Sequence, residues 1–429
     1  MKTTANKRLL VLGGAIQHLQ VVKAAKDLGV YVIVTDNQKR SEVKGIADEA
    51  LEISVMDSEA LIDWCEKNSV DGVLDFSIDF AQHSHQKLCE RFGFPGYGSK
   101  EQYDCLTDKL RFKKLCRDNH VDVIPDYDEN HLDRVEFPVL VKPAESSGSR
   151  GAVICQSMAE LQDALVKVKH DSRNGKVIIE KYMVGYPDIE IAYFVNKGVP
   201  HLMWAGDRYS GKKEDGLHRQ CAFELFPTRF IDSYLKYTHP RICRMIQNLG
   251  LNTSPVFFQG FVDGDTVRLY DPGIRFPGDE FGTVLKTVTG IDVMRAMVIY
   301  ALTGDSMLKD EDIDHLFGLN GCYGALYMLQ ANPGTISKLE GMEEIRKLPS
   351  VVTVTQRRFA GDTILDTGDL SRRVGEVAIV GTGDIQSIVS STKEVTAHLK
   401  MEDEKGGNMF SAFDSDRLLN LGADLQQLK

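Results

Sequence analysis

The first 36 residues carry a strand–turn–helix–strand pattern that strongly limits the fold of this chain. The apolar run 8–14 ends in two glycines, and residues 18–28 carry apolar side chains at helical spacing. A further glycine stops the helix, and a second apolar run, 30–35, ends in Asp36. A strand, a crossover helix and a second strand make a βαβ unit, and such a unit predicts a parallel sheet.

The same alternation continues to residue 100. Short strands are predicted at 52–54 and 72–76, and helices at 58–68 and 80–92. We therefore expect residues 1–100 to form a small, doubly wound α/β domain.

The glycine pair Gly13-Gly14 invites comparison with a dinucleotide-binding turn. The segment Gly13-Gly14-Ala15-Ile16-Gln17 does not match G-x-G-x-x-G, and a lone glycine turn is a weak signal. Asp36 ends the second strand, as an acid does in many α/β units. We expect this turn to pack strand against helix or to contact a small substrate, rather than to bind NAD.

The pattern changes at residue 101. A basic amphipathic helix is predicted over 101–119, and a strand over 137–143 carries Lys142 near its end. Alternating apolar runs over 189–205 and 255–271, with glycine-containing turns, indicate antiparallel sheet. The other predicted elements are strands at 152–155, 177–180, 351–354 and 377–380, and helices at 158–168, 291–303, 309–316 and 392–399.

Charge and composition exclude several classes of function. Among 429 residues, 51 Lys and Arg stand against 62 Asp and Glu, so the net charge is −11 and a nucleic-acid surface is not expected. No apolar run approaches the roughly 20 residues that span a bilayer, and the first residues lack the features of a signal peptide. The eight cysteines are scattered without a C-x-x-C pair, which favours free thiols, a cytoplasmic location and no structural zinc.

Five elements occur in an order that favours binding of a nucleoside triphosphate. Two lysines on separate elements can bind phosphate oxygens, and the backbone of a small-residue loop can approach the same oxygens. A strand end offers main-chain groups to an adenine edge, and an acid in the cleft can hold magnesium. The elements are Lys109, Lys142, the loop 145–151, Glu180-Lys181-Tyr182-Met183 and Asp271-Pro272-Gly273-Ile274-Arg275.

With these motifs in this order, the chain resembles the ATP-grasp superfamily of carboxylate–amine ligases, nearest to its carbamoyl-phosphate-synthetase-like and L-amino-acid-ligase-like branches. The resemblance covers essentially the whole chain and implies an ATP-grasp fold of mixed α/β and α+β class. The implied units are a Rossmann-like N-terminal domain (1–100), a helical linker (101–125), a lid subdomain (126–183), an antiparallel central domain (184–345) and a small C-terminal lobe (346–429).

The resemblance also implies roles for single residues. Lys109 and Lys142 would bind the phosphates of ATP, and Arg275 would stabilise the acyl phosphate and the oxyanion formed during attack. Asp188 and Glu190 are alternatives for the acid that binds the ribose hydroxyls, with Asp188 slightly favoured. The covering loop would contain Ser146, Ser147, Gly148, Ser149 and Gly151, and the adenine strip would consist of Glu180, Lys181, Tyr182 and Met183.

The implied metal is Mg²⁺, which Mn²⁺ could replace, and its implied ligands are Gln259 and Asp271. In the family pattern an E-x-N motif supplies the second set of ligands. Here Asp271 replaces the glutamate and Gly273 stands where asparagine is expected. A water, nearby acids such as Asp279 and Glu280, or the loss of one metal would each account for this departure.

The resemblance implies ligation of a carboxylate, an amino acid being favoured, to an amine through an acyl phosphate, with release of ADP and phosphate. Residues proposed for the small-molecule substrates are Asp79, Arg208, His218 and Arg219. The alternatives are an ATP-grasp enzyme that uses carboxyphosphate or a carbamate, and a non-catalytic nucleotide-binding homologue, which Gly273 favours. Homodimers occur among relatives, so a homodimer remains open.

Overall fold

The computed structural model of the chain describes residues 4–39, 41–144, 151–172, 175–211, 220–365 and 372–419. Its strands fall into four sheets. Apolar clusters join the N-terminal sheet and the small C-terminal sheet to the central sheet, whereas the sheet within 126–181 has an apolar cluster of its own. Within the described residues, no helix is long and apolar enough to cross a membrane. All eight cysteines are free thiols.

The N-terminal part is the expected parallel α/β unit, with four strands in the order β3-β2-β1-β4. The strands are β1 (Arg8–Leu12), β2 (Tyr31–Thr35), β3 (Glu49–Leu51) and β4 (Gly72–Asp75). The helices are α1 (Leu19–Asp27), α2 (Glu42–Ile46), α3 (Ser58–Lys67) and α4 (Gln82–Phe92).

The third strand lies three residues earlier than the predicted 52–54. The Asp48 carboxylate accepts a hydrogen bond from the Val32 N–H (2.8 Å) and so fixes the start of β3 beside β2. Residue 54 already belongs to the turn before α3, because the Ser54 carbonyl accepts from the Asp57 N–H.

The glycine turn after β1 is filled by contacts with other residues of the chain. The N–H of Gly14 donates to Asp36 Oδ2 (3.0 Å), and a Cβ atom on Gly13 would clash with Ile78 and His18. The turn therefore packs β1 against its surroundings, as expected from the sequence.

The predicted helix over 101–119 is two helices, α5 (Lys100–Thr107) and α6 (Lys109–Asp118). Asp108 has extended backbone angles between them, and its carboxylate accepts from the N–H groups of Leu110 and Arg111 (2.9 and 3.0 Å). An aspartate N-cap of this kind starts a new helix. Lys109 is therefore the first residue of a helix, rather than an interior residue.

A small antiparallel sheet follows, in the order β5-β8-β6-β7 and covered by α7. Its elements are β5 (Asp126–Tyr127), β6 (Val139–Pro143), β7 (Val153–Cys155), α7 (Met158–Asp171) and β8 (Val177–Lys181).

The central sheet contains nine described strands, all paired antiparallel. Its order is β13-β12-β9-β10-β11-β14-β18-β16, and β20 pairs with β14. The first five strands in the chain are β9 (Asp188–Asn196), β10 (Val199–Ser210), β11 (Cys221–Phe226), β12 (Ser254–Asp263) and β13 (Thr266–Gly273). The others are β14 (Tyr323–Ala331), β16 (Val351–Gln356), β18 (Arg373–Gly381) and β20 (Phe410–Ser411).

Helices cover this sheet, and a fourth small sheet follows the order β17-β15-β19. The helices are α8 (Ile231–Ser233), α9 (His239–Leu249), α10 (Phe281–Thr289), α11 (Val293–Thr303), α12 (Asp310–Ile313), α13 (Met342–Ile345) and α14 (Ile385–His398). The strands are β15 (Gly334–Glu340), β17 (Thr363–Ile364) and β19 (Lys400–Asp403).

The parallel sheet docks onto the central part of the molecule at close range. The Phe276 N–H donates to the Phe76 carbonyl (3.1 Å), and their rings lie 6.3 Å apart between centroids. A Cβ atom on Gly72 would clash with the Ala301 carbonyl, so β4 and α11 meet nearly backbone to backbone. This contact places the carboxyl ends of the parallel strands against the segment that follows β13.

Candidate active site

Polar side chains form two neighbouring rows on one face of the central sheet. Residues directly opposite on antiparallel strands place their side chains side by side. One row is Asp271, Gln259 and Glu190, and the next is Asp188, Arg208 and Glu224. The register thus brings together five residues predicted from sequence and one, Glu224, that was not.

Three lysines converge beside these rows. Lys109 Nζ lies 3.5 Å from Asp271 Oδ1, and the ammonium of Lys142 pairs with the buried Glu180 carboxylate. Lys113, which sequence analysis missed, lies 3.0 Å from Glu180 on the other side and is 3% exposed. Its position four residues after Lys109 on one helix was an available signal, since such residues share a face.

The three ammonium groups act on one another through a poorly solvated region. Burial opposes ionisation of Glu180, but Lys142 and Lys113 outweigh it and lower the pKa of this carboxyl to about 2. Burial also lowers the pKa of Lys142, and the charges of Lys109 and Lys113 add to that effect against Glu180. Such a set of cations favours a polyanion such as a triphosphate.

The backbone N–H groups of the adenine strip predicted at the end of β8 differ in their hydrogen bonding. The N–H groups of Lys181 and Tyr182 donate to the carbonyls of Pro125 (2.8 Å) and Pro138 (3.0 Å). Among the described residues, the N–H of the buried Met183 donates to no protein acceptor. That donor fits an adenine edge, whereas the Glu180 side chain points into the lysine cluster.

The predicted covering loop is described only at its end. Gly151 adopts a positive φ of 71° and packs near Pro143. Ser146, Ser147, Gly148 and Ser149 lie outside the described residues, as do His218 and Arg219.

The two ribose candidates occupy different environments. Asp188 accepts from Arg208 Nη1 (3.0 Å) and from the hydroxyl of Tyr270 (3.1 Å), and its side chain remains partly exposed. Glu190 is buried, accepts from Gln259 Nε2 (2.7 Å), and has a pKa raised to about 7 by that burial. Asp188 is the more accessible of the two, and Arg208 lies beside it.

The structure shows why position 273 carries glycine instead of the asparagine of the family pattern. Gly273 lies opposite Phe257 across the β12–β13 pair, and a Cβ atom on it would clash with the Phe257 ring. The Arg275 guanidinium lies over the same ring, 4.2 Å from its centroid. Asp271, partly exposed at the strand end, fits a magnesium ligand by its chemistry, but an asparagine at 273 would not fit beside Phe257.

Arg275 joins the central sheet to the N-terminal domain. Its Nε donates to Asp79 Oδ1 (2.6 Å) and its Nη1 to the Phe276 carbonyl (2.7 Å). Within the described residues, Nη2 makes no polar contact. Asp79, predicted to contact substrate, is thus also the partner of the predicted catalytic arginine.

Asp75 is a further acid of this cleft that sequence analysis did not single out. It ends β4 in a buried position, and its Oδ2 has no hydrogen-bond partner among the residues that the structure describes. Burial raises the pKa of this carboxyl to about 7. A signal was available, because Asp75 ends a parallel strand at the edge where α/β proteins bind ligands.

The arrangement of the sheets around the cleft of lysines and acids is that of an ATP-grasp fold. Residues 108–253, about a third of the chain, match the family model "Carbamoyl-phosphate synthase L chain, ATP binding domain". The matched stretch is therefore similar to the ATP-binding domain of ATP-grasp proteins.

Known proteins are similar to parts of the chain. Formate-dependent phosphoribosylglycinamide formyltransferase of Bacillus subtilis (strain 168) is 24% identical over 42% of this chain and 49% of its own length. Dapdiamide A synthase of Enterobacter agglomerans is 20% identical over 62% of this chain and 64% of its own length. The chain thus spans about half to two thirds of these relatives.

A solved structure matches over nearly the whole chain. The L-amino acid ligase of Bacillus licheniformis superposes with a TM-score of 0.77 at 18% identity, covering 94% of this chain and 100% of that one. At this identity the likeness establishes the fold.

Proposed function

We propose that the protein is an ATP-dependent ligase that joins a carboxylate to an amine, with an amino acid as the favoured acid. The observation that carries this proposal is the Lys109–Asp271 contact of 3.5 Å. It joins the lysine that begins α6 to the strand segment that continues to Arg275. Asp271, on the proposed phosphate side, and Arg275, on the proposed acyl side, therefore lie on one short stretch of the chain.

The reaction has two steps. A carboxylate oxygen of the substrate attacks the γ-phosphorus of ATP, which gives an acyl phosphate and ADP. The amine then attacks the acyl carbon, phosphate leaves, and the amine loses a proton. A metal ion held by Asp271 would neutralise phosphate charge during the first step.

The residues of this chain supply position and charge. Lys109 and Lys142 bind phosphate oxygens, with Lys113 adding charge from behind Glu180. Arg275 is buried and held by Asp79, so its free Nη2 is fixed in direction before substrate arrives. A fixed cation stabilises developing charge at little reorganisation cost.

The test is an ADP-release assay with a panel of amino acids, with and without bicarbonate. ADP release that requires both an acid and an amine supports the ligase. We expect Arg275→Ala to lower turnover at least 100-fold while ATP affinity changes less than about threefold, since oxyanion-type contacts act in the transition state. Arg268→Ala is the matched control, because Arg268 lies on the same hairpin but pairs with Asp263 (2.6 Å). Full turnover of Arg275→Ala would remove the proposed role of this residue.

The Gly273–Phe257 pair supports a second candidate, a homologue that binds nucleotide without catalysis. The ring occupies the space that a ligand side chain at 273 would need. Tight ATP binding with no ADP release under any condition would favour this candidate. Bicarbonate-dependent release would instead favour an enzyme that forms carboxyphosphate.

A further inference from the structure

We propose that Glu190, Glu224 and Asp279 form a binding site for a divalent cation, separate from Asp271. One carboxylate oxygen from each residue lies within 4.8 Å of those of the other two. The residues come from β9, β11 and the segment before α10, so the fold, not a local motif, brings them together. The proposal goes beyond the ligase function and does not depend on it.

The site lies on the same sheet face as the proposed nucleotide site. Glu190 and Asp271 belong to one row, with Gln259 between them. Two strand spacings separate the two acids, which is about 10 Å. A cation between Glu190 and Glu224 would therefore be a different ion from one held by Asp271.

The strongest indication of a ligand is the environment of Glu224. This residue is 1% exposed, and neither of its carboxylate oxygens has a hydrogen-bond partner within the described part of the chain. Glu190 is 4% exposed, and its Oε1 also lacks a partner. Buried carboxylate oxygens without donors are costly unless the group is protonated or a cation lies between the carboxylates.

Arg208 forms only long ion pairs with these two glutamates and donates no hydrogen bond to them. Its Nε lies 3.6 Å from Glu224 Oε1 and 3.9 Å from Glu190 Oε2, beyond hydrogen-bond distance. Its Nη1 donates instead to Asp188 (3.0 Å) and to Tyr270 (3.0 Å).

Arg373, the other arginine near this group, also pairs with acids. Its Nη2 lies 3.0 Å from Asp279 Oδ1 and also pairs with Glu376. Arg373 therefore holds the Asp279 carboxylate in place, and one oxygen of that carboxylate belongs to the group of three acids.

The donor set indicates the class of metal. Three carboxylates and no sulfur or imidazole in the group favour hard cations such as Mg²⁺, Mn²⁺ or Ca²⁺. Metal–oxygen bonds of about 2.1–2.4 Å place ligand oxygens about 3.0 to 4.8 Å apart, which matches the spacing of this group.

Titration with Mn²⁺ provides the direct test, because the electron paramagnetic resonance signal of free Mn²⁺ differs from that of bound Mn²⁺. The full chain is titrated with Mn²⁺ without nucleotide, and we expect one bound ion per chain. Glu224→Gln and Asp279→Asn should each weaken this binding at least tenfold. Glu280→Gln is the matched control, because Glu280 is also buried but accepts from the hydroxyls of Thr283 (2.7 Å) and Thr355 (3.0 Å).

Thermal unfolding in EDTA checks that each variant folds, and the partly exposed Asp279 gives a second route if Glu224→Gln is unstable. Absence of Mn²⁺ binding without nucleotide would overturn the proposal, as would a Glu224→Gln variant that binds like the wild type. If that variant bound Mn²⁺ normally but raised the KM for an amine substrate, the carboxylates would belong to the substrate ammonium. An inactive protein that still binds Mn²⁺ would count against the ligase and not against this site.

Discussion

At the scale of single residues, Glu180 is the best-defined group of the site. It is a buried carboxylate between two lysines from different elements, Lys142 on β6 and Lys113 on α6. Removing one partner of a buried ion pair is more costly than the net worth of the intact pair, since the remaining charge stays buried. The lysines therefore stabilise the fold, in addition to the phosphate binding proposed for them.

Substitution of Lys113 tests this double role. We expect Lys113→Met to destabilise the protein by about 3 kcal/mol or more and to weaken ATP binding. Lys114→Met is the matched control, because Lys114 is exposed and pairs with Asp118 at the surface, so its loss should cost less than about 1 kcal/mol. Denaturant unfolding and titration calorimetry measure the two effects. Equal stability of the two variants would contradict the structural role of Lys113.

Asp75 gives a prediction about pH. Burial raises its pKa to about 7, whereas an unfolded aspartate titrates near 4. The folded state binds the proton more tightly, so the stability from this group is complete below about pH 4 and is lost as the pH rises through 7. We expect the stability of Asp75→Asn relative to the wild type to rise by about 2.5 kcal/mol between pH 5 and pH 8. Urea unfolding at several pH values measures this gain, and a constant difference would show that Asp75 is ionised throughout.

Sequence alone located most of these residues but not their partners. Lys109, Lys142, Asp271 and Arg275 could be named because a motif order marks them. Lys113 was missed because a buried lysine in a basic helix resembles a surface lysine until the helix face is known. Glu224 was missed because one acid in an apolar strand carries no pattern.

At the scale of elements, the hairpin β12–β13 is shaped by a glycine opposite an aromatic residue. Gly273 faces Phe257, and Gly324 faces Phe226 in the same way across β11 and β14. In each pair the ring covers the glycine, so a side chain there would displace the ring. In the first pair the ring also supports Arg275.

This arrangement predicts a strong effect of a small substitution. Gly273→Ala should destabilise the protein by about 1–3 kcal/mol, because the methyl group overlaps the Phe257 ring. In the double variant with Phe257→Leu, part of that loss should be recovered, which a double-mutant cycle by denaturant unfolding detects. Gly45→Ala is the control, since nothing lies within 4 Å of a Cβ atom there and alanine suits a helix. Additive losses would show that ring and glycine do not interact.

Element types were predictable where periodicity was strong. The βαβ unit and both hairpins were found at nearly their true positions, since glycine turns and apolar runs mark them. The break between α5 and α6 was missed, because the Asp108 cap interrupts an apolar pattern that continues across it. The Asp108 cap makes Lys109 the first residue of α6.

At the scale of the whole molecule, Asp79 and Arg275 couple the N-terminal domain to the central sheet. The sequence separates them by 196 positions, and no local pattern predicts their 2.6 Å contact. Gln82 supports the same contact, since its Nε2 donates to Asp79 (3.2 Å) and its Oε1 accepts from the Ile274 N–H (3.1 Å). Such tertiary pairings could not be read from the chain.

We expect Asp79→Asn to lower turnover about tenfold or more with little change in ATP affinity, because small displacements of a positioned group are costly. Asp79→Glu should restore part of the activity, which a purely structural role would not predict. Asp71→Asn is the control, since Asp71 accepts from the Arg8 N–H (2.8 Å) away from the cleft. Steady-state kinetics and nucleotide titration separate the two parameters, and an unchanged kcat would exclude a positioning role.

The place of β18 in the central sheet has a consequence for the integrity of the molecule. This strand comes from the segment predicted as a separate C-terminal lobe, yet it covers the whole length of β14, whose residues are almost all buried. Removing the chain after residue 372 would leave a long apolar edge with unsatisfied backbone groups, open to pairing with other copies. A shortened chain of this kind should aggregate rather than persist as a smaller enzyme.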